Sequence, residues 1–165
     1  MGCYVLTWFT STAYAYNKQL TKGDKDMKFS PYLQLNGDTK EAIEFYENVF
    51  GARKLGVMTF GDIPTSPDFP LPPNVDHLVA HASIEIDGST IMLADTFPGQ
   101  PSEEGNLVII CITLDDKEQA HEIFEALAED GQVEMPIAET SFSPAFGVVK
   151  DKFGVRFQIY TELNE

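Results

Sequence analysis

Of the three histidines in the chain, His81 is the one whose setting invites chemistry. It lies in the run Val79-Ala80-His81-Ala82-Ser83-Ile84-Glu85-Ile86, where alternation sends Ala82, Ile84 and Ile86 to one face of a strand and His81, Ser83 and Glu85 to the other. An imidazole changes charge near neutral pH, so His81 can act as an acid, a base or a hydrogen-bond donor. As a structural histidine it would only bond a neighbour. His77 falls in a loop mouth, and His121 lies on a helix rich in Glu122, Glu125 and Glu129; both are surface settings.

The same alternation collects further groups. Tyr32, Gln34 and Asn36 oppose Leu33 and Leu35; Thr90, Met92 and Ala94 oppose Ile91 and Leu93; Arg156, Gln158 and Tyr160 oppose Val155, Phe157 and Ile159. Phe142, Phe146 and Tyr160 form either the aromatic wall of a small-molecule pocket or ordinary core packing. Asp95, at a strand end, either anchors a polar substrate group or caps the turn toward Gly99. Cys111 shares the phase of Ile109 and Thr113 and can face the same space, but no basic neighbour is there to hold it as a thiolate. The binding candidates are therefore Tyr32, Gln34, Glu85, Met92, Asp95, Cys111, Phe142, Phe146, Arg156, Gln158 and Tyr160, with His81 the catalytic candidate. No nucleophile, base and orienting acid form a set. Polar residues sharing one sheet face line a pocket or face solvent, and the pattern is the same for both.

Two stretches repeat one layout and must position these groups. An apolar strand meets an acid, Asp38 or Asp116, and an amphipathic helix then runs to Gly51 or Gly131. An offset of 78 maps Asp38 to Asp116, Ala42 to Ala120, Glu44 to Glu122, Tyr46 to Phe124 and Glu47 to Glu125. A register kept through strand, turn and helix indicates a duplicated module. The first reads as a strand over 32–36, a helix over 39–50, a strand over 53–60 and strands over 79–86 and 90–94, the last two joined by the hairpin signal Asp87-Gly88. The second reads as a strand over 107–114, a helix over 117–129 and strands over 132–138, 146–150 and 155–160, with Lys152-Phe153-Gly154 turning the last hairpin. This is an α+β chain of two tandem βαβββ modules, 29–96 and 106–162. A linker over 98–105 joins them, and five of the ten prolines (Pro64, Pro67, Pro70, Pro72, Pro73) fill the loop 61–76, as a lid over a pocket or a surface insertion.

At 165 residues, with 43% hydrophobic and 12% aromatic content, the chain has ample means to bury a core. Its 26 acidic against 11 basic residues give −15, a surface that repels phosphate backbones and anionic lipid, so neither nucleic acid nor a membrane is expected as a partner. Two cysteines make no disulfide framework and no zinc spacing, which suits a reduced, cytoplasmic setting. Residues 1–26 differ in character: Lys18, Lys22 and Lys25 outweigh Asp24 and Asp26 by one charge, and the apolar start has no basic n-region. They read as a disordered extension or as a misassigned start, with translation beginning at Met27 and the domain spanning 27–165.

The run Phe45-Tyr46-Glu47-Asn48-Val49-Phe50-Gly51 resembles the first module of the vicinal oxygen chelate superfamily, which includes glyoxalase I, bleomycin-resistance proteins and extradiol dioxygenases. Pro31-Tyr32-Leu33, His81-Ala82-Ser83, Leu93-Ala94-Asp95, Ser143-Pro144-Ala145-Phe146-Gly147 and Asp151-Lys152-Phe153-Gly154-Val155 resemble its PhnB-like branch. The resemblance implies curved mixed sheets that enclose a pocket on the face away from the helices, and a homodimer. It implies a small-molecule ligand, and lyase, isomerase or dioxygenase chemistry where a metal is held. The superfamily's metal positions fall on Tyr32, Met92, Ile109 and Gln158, which offer a hard divalent cation almost nothing. No cofactor is expected; a divalent metal held weakly by His81 and Gln158 is the most this set supports.

Overall fold

The computed structural model describes residues 28–64, 71–97, 100 and 105–163. The expectations for residues 1–26 and for the middle of the proline-rich loop lie outside these residues. The first module contains β1 (Tyr32–Leu35), α1 (Thr39–Phe50), β2 (Arg53–Thr59), a 3-10 turn (Phe60–Asp62), β3 (Val79–Ile86) and β4 (Ser89–Asp95). The second contains β5 (Ile110–Leu114), α2 (Lys117–Ala128), β6 (Gln132–Ala138), β7 (Phe146–Lys150) and β8 (Arg156–Thr161). Each module folds one mixed sheet, in the orders β1-β4-β3-β2 and β5-β8-β7-β6, with the first strand parallel to the last and the other pairs antiparallel.

The helices form where apolar residues recur at helical spacing. Ala42, Ile43 and Tyr46 bury one face of α1, and Ala120, Ile123, Phe124 and Leu127 one face of α2. At the start of α2, Asp116 accepts the Gln119 N–H at 2.7 Å. In α1 the equivalent Asp38 makes no side-chain cap. Asp95, from the end of β4, takes its place: Oδ1 accepts the Thr39 N–H and the Gly37 N–H, both at 3.1 Å, and the Thr39 hydroxyl at 2.6 Å, while Oδ2 accepts the Val79 N–H at 2.7 Å.

Thr161 holds the matching place at the end of β8, where its hydroxyl accepts the Ala145 N–H at 2.7 Å. Gly51, at φ +64°, ends α1, and the Ala52 N–H closes back on the Tyr46 carbonyl. Asp87 and Gly88, both at positive φ, make the expected tight hairpin.

Both helices pack on the inner faces of their sheets and against each other, so one core runs through both modules. Phe157 lies against Tyr46 and Phe50, and Phe153 against Phe45 and Tyr46, with ring centroids 5.6–6.2 Å apart. Across this seam the Tyr46 hydroxyl donates to Asp151 Oδ2 at 2.7 Å. Lys152 binds Glu41 at 2.6 Å and lies over the rings of Phe45 and Phe153.

Element bounds move where a side chain claims a backbone group. The strand expected over 155–160 is Arg156–Thr161, because the Val155 N–H goes to the Asp151 carboxylate instead of the ladder. β5 opens at Ile110 instead of 107, and Leu107 and Val108 are 95% and 80% exposed. The strand offset between modules is 79, from Leu35 to Leu114, whereas the caps Asp38 and Asp116 differ by 78. The strand-to-helix turn of the first module is one residue longer, and it contains Gly37 at φ +96°.

Candidate functional site

Because both sheets turn their helix-bearing faces to one core, their other faces point outward on opposite sides, and the sheets do not close on each other within the chain. The candidates therefore fall into two groups. On the first sheet, cross-strand register lines up Tyr32, Met92 and Ser83, with His81 in the next row between Ala94 and Met58. The His81 ring is bonded at both nitrogens: the Tyr32 hydroxyl lies 3.5 Å from Nδ1 and the Ser83 hydroxyl 3.3 Å from Nε2. A neutral imidazole donates from one nitrogen and accepts at the other, so the two hydroxyls take complementary roles. The Tyr32 and His81 ring centroids are 5.9 Å apart. Gln34 is exposed at the free edge of this sheet.

On the second sheet, Cys111 lies directly opposite Gln158, whose Nε2 donates to Sγ at 3.6 Å. Thr113, Tyr160 and Phe146 form the neighbouring row, and Phe142 packs edge-on against Phe146 with centroids 5.2 Å apart. Phe142 is half-exposed, and Phe146 and Tyr160 are partly exposed on this face.

Three candidates are engaged in holding the fold. Asp95 is buried with both carboxylate oxygens taken up by the four bonds described above, and it ties β1, α1 and β3 together; the turn at Gly99 lies outside the described residues. Arg156 forks onto Glu134, with Nε 3.0 Å from both carboxylate oxygens and Nη2 also bonded, and its Nη1 holds the Asn106 carbonyl at 3.0 Å. Glu85 accepts from Arg53 at 2.9 Å.

The residue opposite Gln158 corrects one further position. β5 begins after Ile109, so the four residues equivalent by strand pairing are Tyr32, Met92, Cys111 and Gln158. A phenol, a thioether, a thiol and an amide do not fit a hard divalent cation. Among the described residues, no three His, Cys, Asp or Glu side chains gather to hold a metal.

Sequence reasoning missed Tyr46 and Asp151. Burial pushes the Asp151 carboxyl above the usual carboxylate range, against the pull of the Tyr46 hydroxyl and the Val155 and Phe153 N–H groups; Tyr46 is raised well above its ordinary value, first by burial and then by the Asp151 charge. The available signal was a tyrosine on the apolar stripe of α1, whose oxygen would need a buried partner. No helix among the described residues is long and apolar enough to cross a membrane.

A family model described as 3-demethylubiquinone-9 3-methyltransferase matches residues 27–160. The chain belongs to this family, the PhnB-like branch of the vicinal oxygen chelate superfamily. The PhnB-like chain is 35% identical over 148 residues to protein YjdN of Escherichia coli, covering 81% of this chain and 94% of that protein. Among solved structures it is similar to PA1353 of Pseudomonas aeruginosa, with a TM-score of 0.75 and 30% identity over 84% of this chain and 100% of the other. It is also similar to a Bacillus cereus protein described as a putative 3-demethylubiquinone-9 3-methyltransferase, PhnB protein. That TM-score is 0.68, at 24% identity, with 82% and 99% of the two chains covered.

Proposed function

We propose that this PhnB-like chain binds a small, uncharged, largely aromatic or apolar organic molecule on the outward sheet faces, without a tightly held metal, and that a second copy completes the pocket. The observation that carries the reading is the state of the charged side chains. Arg156 and Glu85 are paired within the chain, and apart from Lys150 at the end of β7 the rest is Tyr32, His81, Ser83, Gln158 and Tyr160 with Met58, Met92, Phe142 and Phe146. Apolar walls with a few uncharged hydrogen-bonding groups suit a neutral ligand. Exposed Tyr32, Met58, Met135 and Phe142 support a partner over these faces, because one chain leaves them bare.

The family description names methyl transfer. The two turns at which a strand enters a helix are closed by carboxylates: Asp95 takes the Gly37 and Thr39 N–H groups, and Asp116 takes that of Gln119. The Gly37, Thr39 and Gln119 N–H groups are thus taken up within the chain and not open to an anionic group of a ligand.

A second reading, a glyoxalase-like lyase or isomerase, is favoured by His81 alone. Bonded at both nitrogens, the ring is oriented to pass a proton between a substrate and Tyr32 or Ser83.

Thermal-shift screening with neutral aromatic compounds, alongside metal analysis and molar-mass measurement, tests the proposal. A ligand at one hundred times its dissociation constant stabilises by about 2.7 kcal/mol. That gain should vanish in His81→Ala and survive dialysis against EDTA. Stoichiometric metal that is lost with Gln158→Ala, or a preference for anionic over neutral ligands, would overturn it.

A further inference from the structure

One cavity lies beside the helices, bordered at its edge by Cys111 and Thr113 of β5. It opens on the helix side of the seam between modules, with a volume of about 870 Å³. The far half of α1 (Phe45, Val49, Phe50) forms one wall, and the stripe Gln119, Glu122, Ile123, Ala126 of α2, with Glu129 just past its end, forms the other. Ile110, Ile112, Leu114 and Phe157 form the floor, and the β3–β4 hairpin closes one end with Asp87. Ile110, Ile112 and Leu114 are partly buried and continuous with the core, so their outer surfaces meet open space, while Phe157 beneath them is buried. The volume falls in the range of small-molecule sites, roughly 300–1,000 Å³.

The charge of the lining is one-sided. Asp87, Glu122 and Glu129 are present, and neither Lys nor Arg is among the lining residues. Lys54 and Lys152 are engaged elsewhere. Lys54 pairs with Glu47, and Lys152 pairs with Glu41 while also feeling Glu129 and Asp130. Glu122 has no ion-pair partner among the described residues, and it stands on the same helical stripe as the apolar Ile123 and Ala126. A carboxylate at the rim of a low-dielectric cleft, in a chain of net charge −15, attracts a cation more strongly than the same group in open water.

We infer that this inter-module cleft is a second binding site, for a lipophilic organic cation whose apolar body lies on the Ile110, Ile112, Leu114 floor and whose charge lies against Glu122. The site meets the second outward face at the edge strand β5, through Cys111 and Thr113, while its apolar floor comes from the opposite side of that strand.

Tetraphenylphosphonium and tetraphenylborate, of one shape and opposite charge, test it by calorimetric titration of the full chain. The phosphonium should bind at a single site, weakening as salt is raised, and the borate at least tenfold more weakly. Glu122→Gln should weaken the phosphonium about five- to tenfold, whereas Glu125→Gln, exposed and outside the cleft, should leave it unchanged. Val49→Trp and Ala126→Phe fill the cleft from opposite walls, and each should abolish binding while keeping a cooperative melt; if one fails to fold, the other and Glu122→Gln still decide. Absence of phosphonium binding, equal binding of the borate, or equal loss in Glu125→Gln overturns the inference. A change of molar mass on filling the cleft also overturns it, assigning the groove to a second copy.

Discussion

Replacing Tyr46 by Phe removes one oxygen from the seam between modules and little else, since the ring keeps its neighbours Phe50, Phe153 and Phe157. The lost bond is donated at 2.7 Å to a carboxylate that is 2% exposed. A hydrogen bond to a charged group contributes about 1.5–3 kcal/mol, and one between neutral groups about 0.5–1.5 kcal/mol. Burial raises the Asp151 carboxyl, so the folded chain holds its proton more tightly than the unfolded one. The cost of the buried charge is absent below the unfolded value, near 3.9, and grows as pH rises through the folded value.

Tyr46→Phe raises that carboxyl further, so its destabilisation should be about 2 kcal/mol at pH 7.5 and shrink to about 1 kcal/mol as pH falls toward 4. For a domain of this size the larger figure is a fall of roughly 8 °C in melting temperature. Urea unfolding of both proteins across that pH range measures it, and the difference between them cancels the other carboxylates. A loss that does not change with pH, or one below about 0.5 kcal/mol, would refute the assignment of Tyr46 and Asp151 as a charge-assisted bond.

Asp95→Ala should destabilise by about 4 kcal/mol or more, since it orphans three backbone N–H groups and a hydroxyl at once, with Asp95→Asn recovering part of the loss in the same denaturant melt. Gly147→Ala places a Cβ 2.7 Å from Phe124 Cε2 and 2.9 Å from the Ile137 Cα; overpacking of this kind costs about 1–3 kcal/mol, read as a lower urea midpoint with an unchanged slope. Arg156→Ala should raise protease cleavage around residues 105–109, because the Asn106 carbonyl loses its partner, while changing the thermal midpoint by no more than about 4 °C, the rest of the pair being partly exposed.

Much of the fold is legible in local pattern. Period-two alternation located the strands, the helical stripes located α1 and α2, and Asp87-Gly88 located a turn, because each depends on residues near one another in sequence. Bounds failed where a distant side chain intervened, as when Asp151 took the Val155 N–H from the last strand. The site was legible in composition only. Alternation set Tyr32, His81 and Ser83, and likewise Arg156, Gln158 and Tyr160, away from the core, but it could not show that they lie on two separate sheets or that Asp95 and Arg156 are bonded within the chain. Their partners lie up to 58 and 50 residues away, beyond the reach of any periodicity.

The sequence alone determined that two copies of one βαβββ unit are present and which side of each strand is apolar, since backbone geometry fixes both. Tertiary structure alone decided how the copies meet. Aromatic rings and a buried hydrogen bond join α1 to the β7–β8 hairpin of the other module, so the polar faces point apart and a cleft opens at the seam. Packing between surfaces of similar apolar character depends on the fit of whole elements, and no single residue or spacing encodes that fit.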